Sequence, residues 1–405
     1  MLDIDKSGHV NNLSEEQKSS LHQFWVSVMD FLENPESTVP RTRSKKKSDK
    51  KLKGTKSGLN SLTLDDDLST SMSIASMDSG EVQVSDLLDE FWALVGHADP
   101  DVLMLRFLRA RKWNLEKAQT MLIKCLAWRK KVNLSAVLIK GDSEIHQPSM
   151  QCGKAFFYGT DKNSRVIGWI RVKFHNKNHQ SNSENEKFII YQMEMARALL
   201  GKDAETASVV FDMTDFSLSC IDNPGIKFLV KCLEAYYPES LGVALVVNAP
   251  WIFWGVWKII KPLLDPVVVA KIKFIKAQEI EEYIDFKYVP KYMRNLISGK
   301  GNDESTGFEY KYDEAGKASQ YDPEKLASLQ TEFDIISREF VANLRENDEL
   351  LRSNDEEKHS LNCKKREEIK MRLMQKRLEI ETLVNAKNFY NRQNFLVGDQ
   401  TYWEK

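Results

Sequence analysis

The stretch YYPESLGVALVVNAPWIFWGVWKIIKPLLDPVVVAKIKFI, residues 236–275, contains two kinds of pattern in succession. GVALVVN (242–248) and IKFIK (272–276) are short β-rich runs, which are typical of buried strands. Between them, a turn at Asn248-Ala249-Pro250 precedes an aromatic helical pattern. Strand, turn, helix and strand in this order predict a βαβ unit with parallel strands.

The same alternation continues upstream, where further strands are predicted in KAFFYG (154–159), VIGWIRV (166–172) and SVVFDM (208–213). The predicted helices of this region are Glu184 to Leu200, Gly225 to Tyr237 and Trp251 to Leu264. Residues 145–300 are therefore predicted to form a three-layer α/β domain with a largely parallel sheet. Residues 81–140 have a helical period, with Asp99 and Asn114 placed as N-caps, and predict a small lobe of three short helices.

The flanking segments have different characters. Residues 1–33 predict an N-terminal amphipathic helix, and residues 34–80 a disordered linker centred on RTRSKKKSDKKLKGTK. This basic run either is attracted to anionic lipid headgroups or is a merely solvated block of charge. Residues 322–395 predict a helical hairpin with a break around Asn354 to Ser360. Its one apolar stripe packs on the domain or on another chain, and we favour packing within the chain. The stripe consists of Leu326, Leu329, Phe333, Ile336, Phe340, Ile369, Leu373, Ile380 and Val384.

Composition limits the class of protein. The 405 residues, of which 42% are hydrophobic, suffice for one large core, and the net charge of -1 excludes the overall basicity of a non-specific nucleic-acid binder. Five cysteines without a CxxC pair predict reduced thiols, and the N-terminus lacks the apolar core of a signal peptide, so we expect a cytoplasmic protein. The uncharged run from Leu241 to Trp257 is short and interrupted, which argues against a membrane span.

Motifs of catalysis are missing from the sequence. It contains no Walker loop, no GxGxxG after a strand, no HExxH and no nucleophile elbow, which lowers the expectation of an enzyme. No pair of histidines has metal-ligand spacing on a helix, so no metal site is predicted. His175 and His179 flank a polar loop, where we expect solvated side chains.

The 236–275 stretch, together with LRFLRARKW (105–113), closely resembles the CRAL-TRIO family, and within it the fungal phosphatidylinositol transfer proteins. The resemblance covers about Val84 to Gly299. It implies a mixed sheet that forms the floor of a deep apolar pocket and a mobile gate helix that closes it. The only cofactor would be one bound lipid, phosphatidylinositol or a neutral apolar lipid. The gate helix would carry four aromatic side chains, Trp251, Phe253, Trp254 and Trp257, with Lys258 and Lys261 available to solvent or headgroups.

The resemblance also implies a headgroup site. Arg111, the third arginine of RFLRAR, and the following Lys112 would hold the phosphodiester. Glu239 of YYPE would accept hydrogen bonds from inositol hydroxyls, and Lys271 would donate to the inositol or pair with Glu239. The alternative is a structural cluster of salt bridges. Val268 stands where the family has a phosphate-contacting threonine, so one hydrogen bond is lost.

A second site departs further from the family. The founding yeast transfer protein binds phosphatidylcholine through tyrosine, serine and threonine hydroxyls, and the matching positions here are Phe157, Gly168, Ala207 and Val209. A choline phosphate there would lack hydrogen-bond partners, at about 1–3 kcal/mol for each unsatisfied polar group. We therefore expect a less polar exchange ligand, such as a sterol or an isoprenoid.

The implied function is binding and transfer of phosphatidylinositol at phospholipid membranes, with transient peripheral association to internal membranes and no catalysis. Two alternatives stay open. One is a lipid-sensing interaction module that regulates a protein partner through the C-terminal hairpin. The other is an unrecognised hydrolase.

Overall fold

The computed structural model of the chain describes residues 7–34, 87–200, 204–298, 307–314, 316–353 and 355–404. From residue 35 on, the predicted basic linker lies outside the described residues, as do residues 81–86 of the predicted lobe. The described residues form two compact units. The helical unit contains the described residues up to Leu134 and those within Gln330–Arg377, and the sheet unit contains the described residues within Ser135–Leu329 and from Leu378 on.

The α-helices and strands are numbered here in chain order. The helices are α1 (Glu15–Glu33), α2 (Leu87–Val95), α3 (Pro100–Ala110), α4 (Leu115–Lys131), α5 (Leu134–Lys140), α6 (Gln147–Gln151), α7 (Asn182–Ala198), α8 (Asn223–Lys231), α9 (Phe253–Ile260), α10 (Pro266–Ala270), α11 (Lys291–Ser298), α12 (Pro323–Ser353), α13 (Glu356–Val384) and α14 (Phe389–Arg392). The strands are β1 (Ala155–Thr160), β2 (Val166–Arg171), β3 (Ala207–Asp212), β4 (Leu241–Val247), β5 (Ile272–Ile275), β6 (Leu396–Val397) and β7 (Gln400–Thr401).

The helical unit has an aromatic core. Its helices begin where local chemistry predicts: Asp99 and Asn114 accept hydrogen bonds from backbone N–H groups as N-caps of α3 and α4. The ring of Trp25 packs edge-on against Phe340 at 5.1 Å between centroids, so the N-terminal helix and α12 share this core.

The apolar stripe of the hairpin is buried within the chain. Phe333, Ile336 and Phe340 of α12 and Leu373 of α13 are all buried. At the edge of this core, the Lys370 ammonium lies 3.0 Å from Asp101 and 2.9 Å from Asp99. The sequence left open whether the stripe packs on the chain itself or on another chain, and the structure places its packing within the chain.

The sheet unit is built on a mixed sheet. Within the described residues, five strands follow one another in the order β1-β2-β3-β4-β5, with β1 antiparallel to β2 and the other pairs parallel. Parallel crossovers are right-handed, and here each one steps in the same direction. The helices α7, α8, α9 and α10 therefore cover one face of the sheet. The predicted fold class is confirmed.

Along the central residues of β3 and β4, side chains alternate between the two faces of the sheet. On β3, Val210 is fully buried in the core of the sheet unit, whereas Val209 turns towards the crossover helices. On β4, Leu245 and Val247 are likewise in that core, and Val246 is on the helix side. The face with the crossover helices is thus the face on which a site can form.

Three elements of the sheet unit differ from the predictions. The helix predicted to end at Tyr237 changes after Lys231 into one π-helical turn, Cys232–Tyr236. The helix predicted for Trp251 to Leu264 is shorter, because Pro262 at its C-terminal end cannot donate a backbone hydrogen bond and the chain tightens into a 3-10 turn, Lys261–Leu263.

The C-terminal tail after α13 is the third difference. It returns to the sheet unit and packs on β1, the edge strand. The Phe157 N–H donates to the Tyr390 hydroxyl at 2.7 Å, and the Trp403 ring lies edge-on to Tyr158. The tail therefore covers a sheet edge that would otherwise present unpaired backbone groups.

Candidate functional site

A cavity of about 350 Å³ lies between the sheet and its crossover helices. That volume falls in the range of ligand pockets, about 300–1,000 Å³. Its wall is almost entirely aliphatic and aromatic. The residues that line it from the helices include Phe188, Met193, Ile226, Leu229, Leu233, Val256, Trp257 and Ile260.

The cavity exists because the strands present small residues to it. Gly168, Ala207 and Ala244 occupy neighbouring strands on the helix side of the sheet. Larger side chains at these positions would fill the space between the sheet and α8. The sequence therefore leaves room for a ligand at the centre of the sheet.

The segment between β4 and β5 forms part of the cavity wall. It starts at Asn248, whose backbone is left-handed with a φ of 54° and whose side-chain oxygen accepts from the Ala277 N–H at 3.0 Å. In α9, Phe253 is buried, and Trp257 lines the cavity while packing edge-on against Phe274 at 5.2 Å. One side of this segment thus belongs to the cavity wall.

The other side of the same segment is exposed and apolar. Trp251 is 84% exposed, Ile259 67% and Trp254 45%. Lys258 and Lys261 are exposed among them. The four aromatic residues predicted for the gate helix therefore divide into two that face solvent and two that face inward, with Trp251 lying in the turn before α9.

Glu239 and Lys271 meet beside the N-terminal ends of β4 and β5. The Lys271 ammonium lies 3.4 Å from the Glu239 carboxylate, and both side chains are partly exposed. Glu239 has a left-handed backbone, with a φ of 51°, a conformation that costs free energy for a residue other than glycine. Strain of this kind is often found at functional sites.

Arg111 and Lys112 lie in the helical unit, where α3 ends. The Arg111 guanidinium donates to the Ala110 carbonyl at 2.9 Å. Lys112 and Trp113 both have positive φ angles, 50° and 63°, before Asn114 starts α4. The RARKW motif is thus a tight corner between two helices. That Arg111 and Lys112 hold a phosphodiester together with Glu239 and Lys271 stays a prediction.

Comparison with known proteins gives the family. A model of the CRAL/TRIO domain matches residues 150–293, and a model of the CRAL/TRIO N-terminal domain matches residues 46–124. The phosphatidylinositol transfer protein CSR1 of Eremothecium gossypii is 32% identical over 311 residues, covering 75% of this chain and 70% of that protein. The chain belongs to the CRAL/TRIO family.

Other CRAL/TRIO relatives match shorter parts. A CRAL-TRIO domain-containing protein of Schizosaccharomyces pombe is 45% identical over 203 residues, which are 48% of this chain and 45% of that protein. This chain therefore spans about half the length of that relative. The phosphatidylinositol transfer protein PDR17 of Saccharomyces cerevisiae is 27% identical over 248 residues, 55% of this chain and 68% of that protein.

The four positions that lack hydroxyls all line the CRAL/TRIO cavity. Phe157 pairs with Gly168 across β1 and β2, Gly168 pairs with Val209, and Ala207 starts β3. The Phe157 ring covers Gly168, since a Cβ atom there would lie 3.0 Å from its Cε1 atom. The structure brings these residues together. Their effect on ligand choice stays a prediction.

A polar cluster at the opposite edge of the cavity was missed by the sequence analysis. Lys154, His175, Asn185 and Asp222 line the cavity at the C-terminal edge of the parallel strands. The expectation that His175 is solvated is wrong, because its Nε2 atom lies 3.1 Å from Asp222 and its side chain is largely buried. His179 is exposed, as expected. No spacing rule joins these four residues, since they come from four different segments.

Burial dominates the titration of this cluster. It lowers the pKa of the Lys154 ammonium to about 8. Burial also lowers the pKa of His175, and the nearby charge of Lys154 acts in the same direction. Within the described residues, no group of three or more His, Cys, Asp or Glu side chains is placed to hold a metal ion. Among the described helices none has the length and apolar composition needed to cross a bilayer.

Proposed function

We propose that this protein binds phosphatidylinositol, encloses one lipid molecule in its cavity and exchanges it at membranes without catalysing a reaction on it. The observation that carries the proposal is the apolar cavity beneath an aromatic segment whose outer side is exposed. The names of two relatives, both phosphatidylinositol transfer proteins, support it.

The free-energy cost of exposing lipid tails to water explains why a lipid-carrying protein needs an apolar cavity. A diacyl lipid has on the order of 30 methylenes, and at about 0.8 kcal/mol each, full exposure to water costs roughly 25 kcal/mol. An apolar cavity removes most of this cost. Because the bilayer interior is also apolar, the free energy of the lipid tails is nearly the same in the bilayer and in the cavity. Polar contacts with the headgroup then decide which lipid is held.

The headgroup contacts are assigned to Glu239 and Lys271, with Arg111 and Lys112 as phosphate ligands. An ion pair at 3.4 Å between partly exposed side chains adds only about 0–1 kcal/mol to stability. The strained backbone of Glu239 is therefore poorly explained by a structural role of this pair. A role in accepting hydrogen bonds from inositol hydroxyls explains why the Glu239 carboxylate is held beside the N-terminal end of β4.

The exposed side of the α9 segment is assigned to membrane contact. Trp is a residue of membrane interfaces, and Lys258 and Lys261 match the negative charge of anionic lipids. The protein would act in the cytoplasm and visit internal membranes transiently. The second ligand would be a lipid less polar than phosphatidylcholine, because the four cavity positions carry no hydroxyl.

The test is transfer of phosphatidylinositol between vesicles by the double variant Glu239→Ala with Lys271→Ala. We expect transfer to fall to background while the thermal unfolding temperature stays close to that of the wild type. The matched control is Lys173→Ala with Asp215→Ala, which removes a surface ion pair of the same unit at 2.9 Å. Unchanged transfer by the folded Glu239 and Lys271 variant would show that this pair is only structural.

A further inference from the structure

The polar cluster at the C-terminal edge of the sheet is held together by one amide. The Asn185 side chain accepts from the Lys154 ammonium at 3.2 Å and donates to Asp222 at 3.0 Å. The same Asp222 carboxylate accepts from His175 at 3.1 Å and from the Gly225 N–H at 2.9 Å. Lys154, Asn185 and Asp222 are each at least nine-tenths buried. The cluster is therefore a built feature of the interior.

Lys154 retains hydrogen-bonding capacity within this cluster. An ammonium group has three N–H donors. In the part of the chain that the structure describes, the Lys154 ammonium makes one hydrogen bond, to Asn185, and lies over the Phe188 ring at 4.6 Å. Because Lys154 lines the cavity, a ligand atom that accepts hydrogen bonds would compensate for its burial.

The charges of the cluster select the chemistry of that acceptor. The positive charge of Lys154 is already balanced by the negative charge of Asp222 through the shared Asn185 amide. His175 is neutral at neutral pH, since its pKa is lowered.

Arg171 also lines the cavity, but its guanidinium donates to the Cys152 carbonyl and lies over the rings of Phe174 and Tyr292, 4.2 and 4.6 Å from their centroids. A ligand carboxylate beside Asp222 would therefore lack a cation of its own, which is costly in a buried site. A neutral hydroxyl accepts the hydrogen bond without that cost.

The position of the cluster matches a ligand that spans the cavity. Lys154 and His175 lie at the C-terminal edge of the sheet, and Glu239 and Lys271 at the N-terminal edge. The seven residues of β4 separate these edges by roughly 20 Å, at about 3.3 Å per residue. In open α/β sheets, ligands bind beyond the carboxyl ends of the strands.

We infer that the Lys154 cluster binds the single terminal hydroxyl of an otherwise apolar lipid, which lies along the cavity with its hydroxyl at the C-terminal edge of the sheet. This inference rests on the proposed function, because it requires the cavity to hold lipids. It assigns the second ligand to one chemical class, neutral lipids with one hydroxyl, and gives its orientation.

The test compares three ligands with the same tail: hexadecan-1-ol, hexadecane and hexadecanoic acid. Each competes for the full-length protein with a fluorescent pyrene-labelled hydrocarbon. For the wild type we expect the alcohol to bind about tenfold to a hundredfold more tightly than the alkane, the range given by a hydrogen bond to a charged donor, and more tightly than the acid. In Lys154→Met the preference for the alcohol should be lost or reversed, because its hydroxyl would then be buried without a partner, at about 1–3 kcal/mol.

The matched control is Lys173→Met, which makes the same change on an exposed lysine outside the cavity wall and should keep the preference for the alcohol. Equal binding of alcohol and alkane by the wild type would overturn the inference, as would an unchanged preference in Lys154→Met. Tighter binding of the acid would overturn the assignment to a neutral ligand. The wild-type comparison stays decisive if Lys154→Met does not fold.

Phosphatidylinositol transfer is measured on the same wild-type preparation. Transfer without a preference for the alcohol contradicts this inference alone. Absence of both transfer and hydrocarbon binding contradicts the proposed function as well.

Discussion

Trp251 lies in the turn before α9, with 84% of its surface exposed. Replacing it by alanine therefore removes little packing from the folded protein. We expect the free energy of unfolding to change by less than about 0.5 kcal/mol, the usual range for surface positions. If the exposed side of this segment contacts membranes, the same substitution should weaken vesicle binding strongly.

The size of that loss follows from the exposed area. A Trp side chain buries about 150–250 Å², so 84% exposure leaves roughly 170 Å² to be dehydrated, worth about 4 kcal/mol at about 25 cal/mol per Å². Trp rings lie at the level of the lipid headgroups, where about half of this area loses its water. The expected loss is then about 2 kcal/mol, or roughly 30-fold in the partition coefficient.

The assay is flotation with vesicles of phosphatidylcholine and phosphatidylinositol, together with chemical denaturation of each variant. The matched control is Trp257→Ala, which removes the same ring from a position on the cavity wall in contact with Phe274. We expect Trp257→Ala to lower stability by about 2 kcal/mol or more, as core truncations do, with a smaller effect on vesicle binding.

Two results would refute this reasoning. Vesicle binding by Trp251→Ala at the wild-type level would show that the exposed ring does not enter the interface. A large loss of stability in Trp251→Ala would show that the ring packs in the folded protein. The structure requires that Trp251→Ala mainly weakens vesicle binding and that Trp257→Ala mainly lowers stability.

Three further predictions concern the cavity and the helical unit. The substitutions Phe157→Tyr, Ala207→Ser and Val209→Thr place three hydroxyls in the cavity. They should create measurable phosphatidylcholine binding in a vesicle-loading assay, at the expense of the neutral ligand. Phosphatidylcholine transfer by the wild type would contradict the expectation that the missing hydroxyls exclude this lipid. Lys370→Met should lower the free energy of unfolding by about 1–3 kcal/mol, because Asp99 and Asp101 lose their shared ammonium partner while Asp101 keeps the Arg366 guanidinium at 2.6 Å. A loss below about 0.5 kcal/mol in chemical denaturation would show that the Lys370 ammonium is dispensable. Burial lowers the pKa of Lys154 from 10.5 to about 8, so between pH 8 and pH 10.5 the unfolded chain binds the Lys154 proton more tightly than the folded chain does. The free energy of unfolding of the wild type, relative to that of Lys154→Met, should therefore rise with pH across this interval. A difference between the two proteins that does not change with pH would contradict the lowered pKa.

Lys370 illustrates the electrostatics behind the second of these predictions. Burial by itself would lower its pKa, but the charges of Asp101 and Asp99 raise it above the ordinary value. The ammonium is therefore held in its charged form. Removing it leaves two carboxylates close together at the edge of the aromatic core.

Local patterns in the sequence determined much of the fold. The five strands of the mixed sheet lie where short β-rich runs predicted them, and Asp99 and Asn114 cap the helices that they were expected to cap. The sequence also indicated the exposed apolar surface of the α9 segment, with Lys258 and Lys261 in solvent. These features depend on residues close together in the chain, so spacing alone reveals them.

Only the tertiary structure decided what lies at the end of the cavity and on the edge of the sheet. His175 looked solvated because its neighbours in sequence are polar, yet the fold places it against Asp222, 47 positions along the chain. The Tyr390 hydroxyl meets the Phe157 N–H across 233 positions. Such contacts follow from how strands and crossover helices are arranged in space. These contacts stabilise the fold because they pair polar groups that would otherwise be buried without a partner. No local pattern in the sequence links the two residues of each pair, so the sequence alone does not predict these contacts.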